Sequence, residues 1–103
     1  MPEFGNLFSG VAKDRKLTDA ELIRAIRFMI SAEYEAIQLY MQLAESTDNK
    51  LAKDVLIDIA DEERVHAGEF LQLLHELAPD EKKLYDEGAE EVQEMIDELK
   101  NNK

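Results

Sequence analysis

The chain holds no cysteine, two prolines and four glycines among its 103 residues. Without thiols it can form neither disulfides nor thiolate metal sites. With so few helix breakers it is free to form long uninterrupted helices. Basic residues are scarce as well: 12 Lys and Arg stand against 24 Asp and Glu, so 12 − 24 = −12. That balance argues against nucleic acid or an anionic membrane as partner and is compatible with attracting cations. No apolar run approaches the length of a membrane span, and the N-terminus lacks the basic-then-apolar layout of a signal peptide. The expected class is one small, acidic, helical, cytoplasmic domain.

What is present is helical periodicity. Residues 1–16 show none and are expected to form a flexible arm, in which Phe4, Leu7, Phe8 and Val11 offer a short docking patch. Residues 17–100 are expected to form the helical domain, and residues 101–103 a frayed end. Thr18 followed by Glu21 reads as a capping box, with Leu17 and Leu22 as its hydrophobic staple. From there an apolar seam runs Leu22, Ile26, Met29, Glu33, Ala36, Tyr40, Leu43, in steps of three and four. A second stripe, Ile23, Ile30, Ile37 and Ala44, runs beside it. This first helix is expected to end near Glu45. The polar link Ser46 to Lys50 is short enough to make the second helix antiparallel, with Thr47 or Asp48 as its N-cap. The second seam reads Ala52, Val55, Ile59, Glu63, His66, Phe70, Leu73, Leu77, flanked by Leu56, Ala60, Ala67, Leu71 and Leu74. Pro79 stops this helix and starts a third, whose stripe is thinner: Leu84, Tyr85, Ala89, Val92, Met95 or Ile96, Leu99. His75 falls off the seam and reads as a surface residue.

Glu33, Glu63 and His66 occupy slots that the rest of each seam gives to apolar side chains. A carboxylate in a dry helix interface is costly unless something neutralises it. A Glu and a His at i, i+3 face the same way, which suits a shared metal ion. Two hairpins, each with an apolar arc too wide to bury on itself, would make a four-helix bundle. That bundle holds one Glu from each of two helices and a Glu-x-x-His from each of the other two, the ligand pattern of ferritin-like di-iron sites. Four carboxylates offset the charge of two ferrous ions. A single chain offers three ligands, too few for a closed octahedral site. The fold class is therefore all-α: an antiparallel two-helix hairpin plus a shorter C-terminal helix, forming the bundle by dimerisation. Mixed carboxylate and imidazole ligation suits iron, with zinc, manganese or calcium as substitutes. Tyr40, one heptad after Glu33, leans back toward its level and reads either as a partner of the site or as an ordinary core aromatic. Asp61, Glu62 and Glu35 lie off the seams and read as a solvated face.

At these residues the sequence resembles the encapsulated ferritins. The matching segments are Ala32-Glu33-Tyr34-Glu35-Ala36 with Tyr40 following, and Asp61-Glu62-Glu63-Arg64-Val65-His66-Ala67. The wider ferritin and rubrerythrin group repeats this pattern within one longer chain, whereas one copy stands here. The resemblance implies a ferroxidase whose di-iron centre forms between two subunits. Glu33, Glu63 and His66 would be its ligands, and Tyr40 its site tyrosine. It also implies pairs that close into a ring-shaped decamer inside an encapsulin shell, which stores the oxidised iron. Glu35 matches an acid of an outer metal entry site, but Ala32 stands where the second acid would be, and Leu39 replaces an aromatic before the tyrosine. No shell-targeting peptide is evident after Leu99. The arm could take that role, the domain could continue into a shell protein, or it could work without one. Two other classes compete: a non-catalytic divalent-metal-binding oligomer with the same site, and a metal-free acidic interaction module.

Overall fold

A computed structural model describes residues 15–102. The expected docking patch, and the expected flexible arm up to residue 14, lie outside the described residues. Three helices follow one another: α1 (Asp19–Glu45), α2 (Lys50–Leu77) and α3 (Pro79–Asn101). There is no strand among the described residues, and no helix is long and apolar enough to cross a membrane. Asn101 is the last helical residue, and Asn102 caps α3 through its backbone N–H to the Glu98 carbonyl at 3.1 Å. Lys103 lies outside the described residues.

The start of α1 is the expected capping box. The Thr18 hydroxyl accepts from the Glu21 backbone at 3.2 Å, and the Glu21 carboxylate accepts from the Thr18 backbone at 2.9 Å. Arg15, assigned to the arm from sequence, adds two donors to that carboxylate at 2.7 Å each. The Arg15 guanidinium is the main reason that Glu21 is pushed down to about 2, with the Thr18 backbone next.

The start of α2 corrects the sequence reading. Its N-cap is Asn49, not Thr47 or Asp48: Asn49 Oδ1 accepts from the Ala52 backbone at 3.0 Å. Thr47 serves one step earlier, its hydroxyl accepting from the Asn49 backbone at 3.1 Å. The link therefore runs one or two residues further before α2 begins than those caps implied, and the two long helices pack antiparallel. At 27 residues, α1 is a rod of roughly 40 Å.

The two apolar stripes of each helix have different fates. The stripes beside the seams close the hairpin: Ile30 and Ala44 from α1, and Ala60, Ala67 and Leu74 from α2, are buried. The alanines let the helix backbones approach, and Ile26, Ile30 and Leu74 form the core, packed around by Ile23, Phe70, Leu71, Leu77 and Ala78. The seams are buried less evenly: Ile26 lies in that core, and Met29, Ala36, Tyr40, Ala52 and Ile59 are half-buried. Leu22, Leu43, Val55 and Leu73 are all exposed within the chain. So is α3, which has no buried residue at all. It leaves the hairpin at Ala78, which is at once the C-cap of α2 and the residue before Pro79.

Candidate metal centre

Halfway along the open face, Glu33 of α1 meets Glu63 and His66 of α2. One potential ligand atom from each lies within 4.8 Å of the others. Helix geometry explains why. The i, i+3 spacing puts Glu63 and His66 one turn apart on one face, with His66 Nδ1 3.2 Å from Glu63 Oε1. The antiparallel hairpin, whose core joins Ile26 and Ile30 of α1 to Leu74 of α2, then brings Glu33 alongside. Glu63 and Glu33 are half-buried, while the His66 side chain is 49 % exposed. The imidazole thus forms the outer rim of the cluster.

Glu33 is the residue whose needs the chain does not meet. Its Oε2 is buried with no hydrogen-bond partner among the described residues. Leaving a buried acceptor unsatisfied costs about 1–3 kcal/mol, more for a charged group. Its carboxyl is held above the usual range, first by hydrogen bonding with Glu63, then by burial, then by repulsion from the Glu63 charge; His66 opposes weakly. Hard carboxylate oxygens with one imidazole fit a divalent first-row ion, and such an ion would satisfy the orphaned oxygen. Glu33 and His66 also line an open depression together with Glu69 and Phe70.

Tyr40 and Glu35 stand apart from this cluster. Both line a separate hollow on α1, with Ala32, Ala36, Gln38, Leu39 and Gln42. Asp61 is exposed and paired with Arg64 at 2.6 Å, in keeping with a solvated face. His75 is not the plain surface residue expected. It is half-buried, and its ring lies 6.1 Å from that of Tyr85 on α3, a neighbour that reading α2 alone could not reveal. Sequence reasoning also missed the link between Arg27 and Glu81, which are 54 positions apart.

The helical hairpin that carries Glu33, Glu63 and His66 is similar to known proteins. The rubrerythrin family model matches residues 25–102. The chain belongs to the rubrerythrin family. Within that family it is similar to an encapsulin nanocompartment cargo protein of Myxococcus xanthus, 48 % identical over 67 residues, covering 65 % of this chain and 52 % of the relative. It is also similar to a ferritin-like–encapsulin shell fusion protein of Pyrococcus furiosus, 38 % identical over 85 residues, covering 82 % of this chain and 25 % of the relative. The chain thus spans between a quarter and about half the length of these curated relatives. Among solved structures it resembles an encapsulated ferritin domain from Pyrococcus furiosus, with a TM-score of 0.79 and 35 % identity, covering 89 % of this chain and 94 % of the other. The resemblance to encapsulated ferritins drawn from Glu33, Tyr40, Glu63 and His66 stands, and this rubrerythrin-family chain has their all-α, ferritin-like fold.

Proposed function

We propose that this chain contributes half of a ferroxidase centre, with Fe(II) as substrate and the other half supplied by a second copy. The observation that carries the reading is the Glu33, Glu63 and His66 cluster, with a buried, unpartnered Glu33 oxygen, on the face that one chain leaves open. Iron is favoured among first-row ions because the relatives are named as ferritin-like.

Each residue has a definite task. Glu33 and Glu63 hold Fe(II) and neutralise its charge. His66 contributes a neutral nitrogen donor, and its exposure leaves it at the seam where a second chain would meet it. Pairing two chains doubles the set to four carboxylates and two imidazoles, enough for two Fe(II) ions. Each Fe(II) gives up one electron. One oxygen molecule takes both, together with two protons from water, and leaves as hydrogen peroxide. A paired site avoids the one-electron reduction of oxygen, which is the unfavourable step. The Glu33 carboxyl is held above its usual range when no metal is bound, so Fe(II) binding would favour its deprotonated form. Tyr40 acts from outside the ligand set in this reading, so Tyr40→Phe should slow the reaction and leave iron bound. Glu35 remains a candidate outer capture residue.

The exposed seam residues Leu22, Leu43, Val55 and Leu73 support pairing into a four-helix bundle. The relatives named as encapsulin cargo and as a shell fusion support a place in an encapsulin compartment. A ring-shaped homo-oligomer belongs to the same reading.

The test is oxygen consumption with Fe(II), parent against His66→Ala. The parent should consume oxygen well above the buffer rate, and His66→Ala should fall to that rate. Equal rates would remove the enzyme and leave a passive metal-binding oligomer, which iron retention by both proteins would identify.

A further inference from the structure

The geometry points to a three-helix clasp, Arg27 of α1 with Glu81 and Tyr85 of α3 and His75 of α2, that sets the direction in which α3 leaves the hairpin. The inference is independent of iron chemistry.

Two attachments of the helix α3 to the hairpin stand out in the described structure. One is covalent. Ala78, at φ −136° and ψ 68°, is the single residue between α2 and α3. Preceding a proline, it cannot continue the helix, so the chain must bend there. Ala78 also packs on the core formed by Ile26, Ile30 and Leu74, which anchors the pivot. A bend at one residue leaves the helix beyond it free to swing unless a second contact holds it.

That second contact is polar. Arg27 of α1 donates to the Glu81 carboxylate through Nε at 3.3 Å and through Nη2. The Tyr85 hydroxyl, one turn further along α3, donates to the same carboxylate. His75 of α2 completes the junction, its ring tilted 54° to that of Tyr85. One carboxylate on α3 is thus gripped by a two-pronged donor from α1, and its tyrosine partner lies against α2. The Glu81 side chain is 19 % exposed and that of Arg27 44 %. Arg27 and then Tyr85 hold the Glu81 carboxyl below its usual range, as expected for a carboxylate with several donors. Exposed ion pairs add little to overall stability. Orientation is another matter here, because α3 buries no residue whose packing could set its angle instead.

The chain has no cysteine, so two spin labels can be placed at will, at Glu45→Cys on α1 and Glu94→Cys on α3. Labelled full-length protein is diluted into unlabelled protein, and pulsed dipolar spectroscopy reads the distance within one chain. The parent should give a narrow distribution. Arg27→Met and Glu81→Gln should each widen it by about two-fold or more, since one of two tethers is gone. Tyr85→Phe should widen it less, and Arg27→Lys should recover part of the parent width by restoring the charge without the fork. Circular dichroism checks that helix content is retained. Parent widths in both Arg27→Met and Glu81→Gln would overturn the clasp and assign the direction of α3 to the Ala78 bend or to neighbouring copies.

Discussion

The hairpin has two faces built by the same two helices and treated in opposite ways. The closed face is lined with Ile30, Ala44, Ala60, Ala67 and Leu74, all buried, with no charge among them. The open face carries Leu22, Leu43, Val55 and Leu73, all exposed, and sets Glu33, Glu63 and His66 in their midst. Small residues dominate the first because backbones approach each other there. Large apolar residues lie exposed on the second, where the proposed pairing would cover them. Charge inside an apolar seam is tolerable only with a counter-charge. The lesson is that the closed face makes the hairpin, and the open face is where the proposed assembly and its chemistry would lie.

The sharpest way to break this comparison is to damage the closed face. Leu74 is 3 % exposed and sits in the core with Ile26 and Ile30. Leu74→Ala should cost about 2–5 kcal/mol, through lost burial and the cavity left behind. Urea unfolding monitored by helicity measures it. A loss under about 1 kcal/mol would mean that assembly, not the hairpin core, holds each chain together.

A charge on the open face should act differently. Val55 is 48 % exposed in the single chain, so Val55→Asp should leave its helicity intact. In a paired bundle the same aspartate would be buried without a partner. The expected result is a shift of the mass distribution toward monomer, read by native mass spectrometry, with Fe(II) oxidation falling alongside it. Unchanged assembly with full activity would move the pairing surface elsewhere.

Much of this division was readable before any coordinates. The seam positions were legible because a three-and-four spacing identifies a helix face, and an acid on such a face is conspicuous. Glu33, Glu63 and His66 stood out for that reason, and the structure groups them. The helix limits at Thr18, Glu45 and Pro79 followed from local chemistry. What was not legible came from choices or from contacts between distant residues. Thr47, Asp48 and Asn49 can each cap a helix, and only the path of the link selects Asn49. The seams and the stripes beside them look equally apolar, and only packing shows that the stripes close first. His75 and Tyr85, or Arg27 and Glu81, meet because α3 departs at a particular angle, which no periodicity encodes.

The finest test contrasts two carboxyls, one on the open face and one at the start of α1. Glu33 is held above its ordinary value of 4.5, whereas Glu21 is pushed down from it to about 2. The signs therefore oppose. A group with a raised folded value contributes fully below the unfolded value, and its contribution is lost as pH rises through the folded one. Metal-free protein should accordingly lose stability above pH 4.5 on account of Glu33. A group with a lowered value contributes above the unfolded value and loses that contribution as pH falls through the folded one. Glu21 should accordingly cost stability between pH 4.5 and about 2. Urea midpoints measured against pH in the presence of a chelator separate the two. Glu33→Gln should flatten the neutral side and leave the acid side alone. Glu21→Gln should lower the plateau and flatten the acid side, since Arg15 and the Thr18 backbone lose their charged acceptor. Metal should restore the parent on the neutral side but not Glu33→Gln, because the amide is a far poorer ligand. A neutral-side slope unchanged in Glu33→Gln would mean that the open face carries no unbalanced charge, and the contrast between the two faces would then rest on packing alone.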